Sequence, residues 1–167
     1  LAGQKGLLIK DAYYSEELKE RLISTAVPFL DSDTGEFLGV LVARVKMTGL
    51  DKIMLDLGQI KEIGEAYIVN KYGYMITPSV FLKDTFLRQR VDTDNFRNCL
   101  LHRNPKDIDF KLGEHVSVFS GYRGLKVLGA HRYIPEIQWS VLAEIDENTA
   151  FAPLIQLYIR QHEISDL

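Results

Sequence analysis

The chain has 167 residues, 46% of them hydrophobic and 26% charged, which is enough for one good core or two small ones. Its net charge of −3, with 20 basic residues spread along the chain, argues against the clustered basic surface that nucleic acid requires. The single cysteine, Cys99, rules out an internal disulfide, a cysteine-based zinc site and c-type haem attachment. It sits in the apolar run Cys99-Leu100-Leu101 after Phe96 and reads as a buried, inert thiol.

No run reaches the roughly 18 apolar residues of a membrane span, and no signal peptide is visible. The opening stretch 1–9 is apolar with glycines at Gly3 and Gly6, and 11–20 is a charged run read as a loop or short helical turn. Residues 21–30 carry the β-branched pattern of a strand, with Pro28 marking an edge or strand end. The turn formers Asp31-Ser32-Asp33-Thr34-Gly35-Glu36 lead into a second apolar run over 37–47, which predicts an antiparallel hairpin. Thr48 then caps a helix over 48–57, with Leu50, Ile53, Met54 and Leu57 at helical spacing, and Gly58 stops it.

A second hairpin is predicted over 65–70 and 74–77, around the turn Asn70-Lys71-Tyr72-Gly73 and ended by Pro78. Residues 79–112 read as irregular, apart from a short helix over 95–102 that puts Phe96, Cys99 and Leu100 on one face. Strands follow over 114–120, 126–134 and 139–145, joined by Tyr122-Arg123-Gly124 and Pro135-Glu136-Ile137. Asn148 caps a closing helix to about residue 162, with Phe151, Leu154, Ile155, Tyr158 and Ile159 in one stripe. Tight hairpins with helices packed beside them give an α+β class.

At this point the residues carry a resemblance. Gly64-Glu65-Ala66-Tyr67-Ile68-Val69-Asn70-Lys71-Tyr72-Gly73-Tyr74-Met75-Ile76-Thr77-Pro78 resembles the first hairpin of the membrane-proximal module in double Cache domains, the PAS-like extracytoplasmic sensors of bacterial and archaeal transmembrane receptors. Residues 124–135 and Trp139-Ser140-Val141-Leu142-Ala143-Glu144-Ile145-Asp146 resemble that module's last two strands. Val27-Pro28, Gly35 and Gly39-Val40-Leu41-Val42 resemble the last hairpin of the distal module. The resemblance implies a fragment: 1–58 as the end of the distal module with its linking helix, 59–147 as the proximal module, and 148–167 as an exit helix towards a membrane span. It further implies an antiparallel PAS-like sheet with helices, a small-molecule ligand, a homodimer and a membrane-anchored parent protein.

In such domains one face of the sheet holds the ligand. Alternation puts Val127, Gly129, His131 and Tyr133 on one face of strand 126–134, with Tyr67 and Val69 matching them, and Gly129 and Ala130 leave room above both faces. The candidate ligand-binding residues are therefore Tyr67, His131 and Tyr133, with Thr77 at the rim, Arg132 on the same strand, and Arg88 or Arg90 from the loop. Each has a plainer reading: core aromatics for the tyrosines, a structural histidine, and for Arg132 a cross-strand pair with Glu144. Amino-acid-binding members carry an aspartate where this chain has Arg44, so an organic anion suits the distal module better. No metal or cofactor is implied: His102, His115, His131 and His162 lack ligand spacing, and nothing around Cys99 resembles a flavin site. No phosphate loop or nucleophile elbow marks an enzyme. The alternative to ligand sensing is a relay module that binds nothing and passes on a signal received elsewhere.

Overall fold

The computed structural model describes residues 6–57, 64–102 and 116–165, with side chains in the closing helix as far as Gln161. Two compact units divide the chain, Leu1–Ile53 and Met54–Leu167. The Gly58 stop, the start of the strand expected over 114–120, Arg103, His115 and the His162 side chain lie outside the described residues.

The first unit is a three-stranded antiparallel sheet in the order β1 (Leu8–Ser15), β2 (Glu20–Leu30), β3 (Phe37–Lys46). Strand β1 corrects the expectation of a loop or helical turn over 11–20, because the strand runs on to Ser15. The charged residues obscured a pleat whose Tyr13 and Tyr14 favour extended chain, and a register shift between Lys10 and Tyr13 absorbs the irregular pattern. Tyr13 fixes that register by a 2.8 Å hydrogen bond to Ser24 Oγ, with the Lys10 ammonium over its ring. The hairpin between β2 and β3 forms as expected. Asp31 Oδ1 accepts the backbone N–H groups of Asp33 and Thr34, and Gly35 takes the positive φ of 71° that closes the turn. Pro28 is tolerated because β2 has there run past the start of β1, whose Leu8 pairs with Ala26. Helix α1 (Thr48–Asp56) follows; Ile53 and Leu57 of its expected apolar set are exposed.

The second unit holds a four-stranded antiparallel sheet in the order β4 (Gly64–Val69), β7 (Trp139–Asp146), β6 (Lys126–Ile134), β5 (Ser117–Ser120). The turn after β4 closes on Gly73, whose φ of 83° needs glycine, while Asn70 Oδ1 accepts from Tyr72 N and Tyr74 N. The expected return strand over 74–77 does not form. Its backbone hydrogen bonds are split between the β4 side, through Asn70 N to Tyr74 O and Ile76 N to Ile68 O, and residues 87–91, through Met75 N to Gln89 O and Leu87 N to Met75 O, so only isolated bridges remain. Helix α2 (Asp94–Leu101) is capped by Thr93, whose hydroxyl accepts from Phe96 N. Phe96 and Cys99 face inward, joining Tyr67, Val69, Met75, Val91 and Leu142 in the core between α2 and the sheet. Side chains of this size each contribute about 1.5–3 kcal/mol when fully buried. Helix α3 (Glu147–Ser165) follows; its apolar stripe is half-buried at Phe151 and exposed from Leu154 onward, with Leu154 at 61% and Tyr158 at 64%.

Candidate functional site

Register decides which side chains meet. Glu65 pairs with Glu144, Tyr67 with Leu142 and Val69 with Ser140 across β4 and β7. Gly129 pairs with Glu144, His131 with Leu142 and Tyr133 with Ser140 across β6 and β7. These residues share the face that α2 covers. The expected grouping of Tyr67 with Val69, His131 and Tyr133 is thus present on one face.

That face carries a polar network inside an apolar core. Glu65 Oε1 accepts from the Tyr122 hydroxyl, and Oε2 accepts from Ser79 Oγ at 2.9 Å and Val80 N at 3.3 Å. Glu144 Oε1 accepts from Asn95 Nδ2 at 3.0 Å. Asn95 Oδ1 lies 3.0 Å from His131 Nδ1, and His131 Nε2 lies 3.0 Å from His102 Nδ1. The two imidazoles stack with centroids 5.3 Å apart. Tyr67 packs edge-on against the Tyr122 ring. Its fully buried hydroxyl lies beside Glu144 yet has no partner in hydrogen-bond geometry among the described residues, and the Ser140 hydroxyl near Cys99 is alike in this.

Glycine makes the network possible. A Cβ on Gly129 would stand 2.7 Å from Asn95 Nδ2, and one on Gly121 3.3 Å from Glu144 Oε2. The room expected above Gly129 on this face is therefore filled by the Asn95 side chain. Burial pushes the Glu144 carboxyl up from its ordinary range, Glu65 adds to this, and the Asn95 donor pulls it back. Burial also raises the Tyr67 and Tyr122 phenols, each helped by a neighbouring glutamate, and it raises the Cys99 thiol. The Cys99 result agrees with an inert, buried cysteine.

The other candidates are placed elsewhere. Thr77 is fully buried, but its hydroxyl accepts from Ile68 N at 2.9 Å and so serves the β4 backbone. Arg88 and Arg90 are exposed on the loop. Arg132 is exposed on the opposite face of the sheet. The expected Arg132–Glu144 pairing does not form, because register sets Arg132 opposite Val141 and Glu144 opposite Gly129. Arg44, in the first unit, lies 3.7 Å from Glu17 with half its side chain exposed.

Sequence reasoning missed Glu65, Asn95, Tyr122, Arg123 and Glu144. Arg123 bonds Asp146 and lies 3.9 Å above the Phe81 ring. The signal for the glutamates was present: each is in phase with core residues of its own strand, Tyr67 and Leu142. Among the described residues no group of three or more His, Cys, Asp or Glu could hold a metal. No described helix is long and apolar enough to cross a membrane.

No protein-family model and no curated protein matches the chain. Solved structures do. The ligand-binding domain of Mlp24 with asparagine matches with a TM-score of 0.57 and 21% identity, over 89% of this chain and 54% of that one. The Pseudomonas aeruginosa amino-acid chemoreceptor PctC, in complex with GABA, gives a TM-score of 0.56 at 17% identity, over 84% of this chain and 55% of that one. The ligand-binding domain of P. aeruginosa PctB with L-Gln matches with a TM-score of 0.56 at 15% identity, over 96% of this chain and 60% of that one. The chain thus spans little more than half the length of these structures. The likeness establishes the fold expected from the sequence, the PAS-like, Cache-type arrangement of antiparallel sheets with helices and loops that chemoreceptor ligand-binding domains share.

Proposed function

We propose that the chain is part of the extracytoplasmic, non-enzymatic sensor domain of a membrane-anchored receptor, with a small molecule as its stimulus. The carrying observation is the fold shared over 84–96% of this chain with ligand-binding domains of chemoreceptors. On this reading residues 1–58 end the membrane-distal module and include the linking helix. Residues 59–147 form the proximal module, and 148–167 carry the signal towards a membrane span. The output is a histidine kinase, a diguanylate cyclase or a chemotaxis transducer, and the receptor works as a homodimer. The solved neighbours hold asparagine, GABA and glutamine. Arg44 in the first unit favours an acid group on the ligand, an organic anion among them.

A ligand acts by binding one conformation of the pocket better than another. Helix α3 begins directly where β7 ends, at Asp146 and Glu147, so a shift of the last strand moves the helix. A second reading has an observation of its own. The α2-covered face of the second unit is filled by the chain's own Asn95, Phe96 and Cys99, which favours residues 59–147 as a relay for a signal received by the distal module.

A thermal-shift screen of the chain against amino acids, organic acids, amines and sugars separates the two. A shift of several degrees with one class supports direct sensing, because a ligand that binds only the folded state stabilises it by mass action. No shift with any class removes the direct reading for this chain and leaves the relay. Substituting Tyr133 or His131 then tests the second unit's face, and Arg44 the first unit.

A further inference from the structure

Residues 79–84 lie against the second unit through side-chain tethers rather than through a strand ladder. Ser79 holds the near end. Its hydroxyl donates to Glu65 Oε2 at 2.9 Å, lies 2.8 Å from the Tyr122 hydroxyl and accepts from Phe81 N and Leu82 N. Thr85 holds the far end, buried and donating to Thr77 O at 3.2 Å. Between these tethers Phe81, Leu82, Lys83 and Asp84 are exposed. Asp84 and, just beyond, Leu87 take a left-handed φ of 54°, which costs energy in a residue with a side chain. The segment is therefore kept in this shape by its tethers and not by its own backbone preference.

A further tether runs to the turn before β6. Arg123 lays its guanidinium over the Phe81 ring, 3.9 Å from the centroid, and bonds the Asp146 carboxylate. A planar guanidinium does both at once, since its face stacks while its edge donates. The turn that carries Arg123 is itself fixed. Gly124 takes a φ of 77°, Gly121 N donates to Leu125 O, and a Cβ on Gly121 would meet Val127 at 3.2 Å. Asp146 is the last residue of β7, and α3 begins at Glu147. The Asp146 carboxylate thus stands at the residue before the first helical turn, where its charge and its bonds bear on the helix N-terminus.

We propose that Arg123 is a positioning residue that ties the exposed segment 79–84 to the start of α3, so that displacing Phe81 loosens the first turn of the helix. With Phe81 in place, the ring restricts the guanidinium to the plane in which it meets Asp146. With Phe81 withdrawn, Arg123 gains rotamers and solvent, and its bond to Asp146 weakens to that of an exposed ion pair. Whatever moves the segment then acts on α3 without touching it. The inference rests on the receptor reading only for what α3 goes on to move. The link itself lies within the chain, and its failure would leave that reading with another route to the helix.

The experiment is amide hydrogen exchange of the whole chain, followed residue by residue by NMR. The amides of Ala150, Phe151 and Ala152 close the first bonds of α3, onto residues 146–148, and so report its first turn. Phe81→Leu keeps an apolar side chain on the segment but removes the ring. It should speed exchange at these amides by about twofold to fivefold, the equivalent of a partly exposed cation–π contact. Phe81→Trp should keep exchange slow, because an indole offers Arg123 the better face. Arg123→Met should speed the same amides, and adding Phe81→Leu to it should change them no further. Should Arg123→Met fail to fold, Asp146→Asn breaks the same link from the helix side and takes its place in the cycle. The proposal is overturned if Phe81→Leu leaves the α3 amides unchanged, or if its effect is as large without Arg123 as with it. Equal acceleration in β4 and β7 would mark a general loss of stability and would overturn it as well.

Discussion

Replacing Gly129 with alanine tests whether the polar network is built on the absence of a side chain. The added Cβ would meet Asn95 Nδ2 at 2.7 Å, Asn95 Cγ at 3.1 Å and Phe119 Cδ2 at 3.1 Å. Real contacts of this kind need about 3.5 Å or more, so Asn95 must move by nearly 1 Å. Asn95 is fully buried and pinned at 3.0 Å to both Glu144 and His131, so that displacement breaks at least one of the two bonds. Overpacking costs about 1–3 kcal/mol. A lost hydrogen bond to a charged group costs about 1.5–3 kcal/mol. Together they give at least about 2.5 kcal/mol, and a loss of about 3 kcal/mol in a chain of this size lowers Tm by about 6–12 °C. Urea and thermal denaturation of Gly129→Ala, Asn95→Ala and the double variant form the assay. In the Asn95→Ala background the glycine substitution should cost less than about 1 kcal/mol, because only Phe119 remains in the way. Additive costs within about 0.5 kcal/mol would refute the argument that Gly129 exists to seat Asn95.

Further outcomes follow from the same geometry. Glu144 has its carboxyl raised by burial, so the folded chain holds that proton more tightly than the unfolded one. Its contribution to stability is therefore present below the ordinary carboxylate range and lost as pH rises through the raised value. Glu144→Gln should then gain on the parent in urea melts as pH rises above the ordinary carboxylate range, and a constant difference would contradict this. In the first unit, Arg21 Nη2 meets the buried Asp51 at 2.5 Å, and burial raises the Asp51 carboxyl despite that guanidinium. Arg21→Met should cost about 2 kcal/mol by denaturation, more than Asp51→Asn, because it strands a buried charge. Cys99 should resist thiol reagents in the folded chain and react only as fast as the chain opens; prompt labelling would place it at the surface.

Much of the fold was legible because local chemistry and tertiary structure agree. The turn at Asp31 to Gly35, the Thr93 cap and the span of β6 follow from side-chain hydrogen bonding, glycine geometry and two-residue alternation. The missed strand β1 shows the limit of such reading. Lys10 and Asp11 weaken its apolar pattern, and its pairing partner in β2 is not visible in its own composition. The failure at 74–77 is of the same kind, since the competing segment 87–91 has no strand pattern to advertise it. For the site, alternation brought Tyr67, His131 and Tyr133 to one face. It could not reveal that Asn95 on a separate helix reaches over Gly129 to Glu144, because that contact depends on how α2 packs. The glutamates were passed over because a charged residue within a strand reads as solvent-facing until its phase is compared with that of its neighbours.

The claim common to both functional readings is that α3 conveys the state of the domain to the membrane, and helical phase tests it most directly. The chain would replace the matching part of a chemoreceptor whose output is measurable, with one to four alanines inserted between Gln156 and Leu157 in the exposed stretch of α3. Each residue rotates the downstream helix by about 100°, so the account predicts output that changes at one and two insertions and returns towards the starting level near the fourth. Output that stays flat across the series would mean that α3 conveys nothing, and the receptor reading would fall with it.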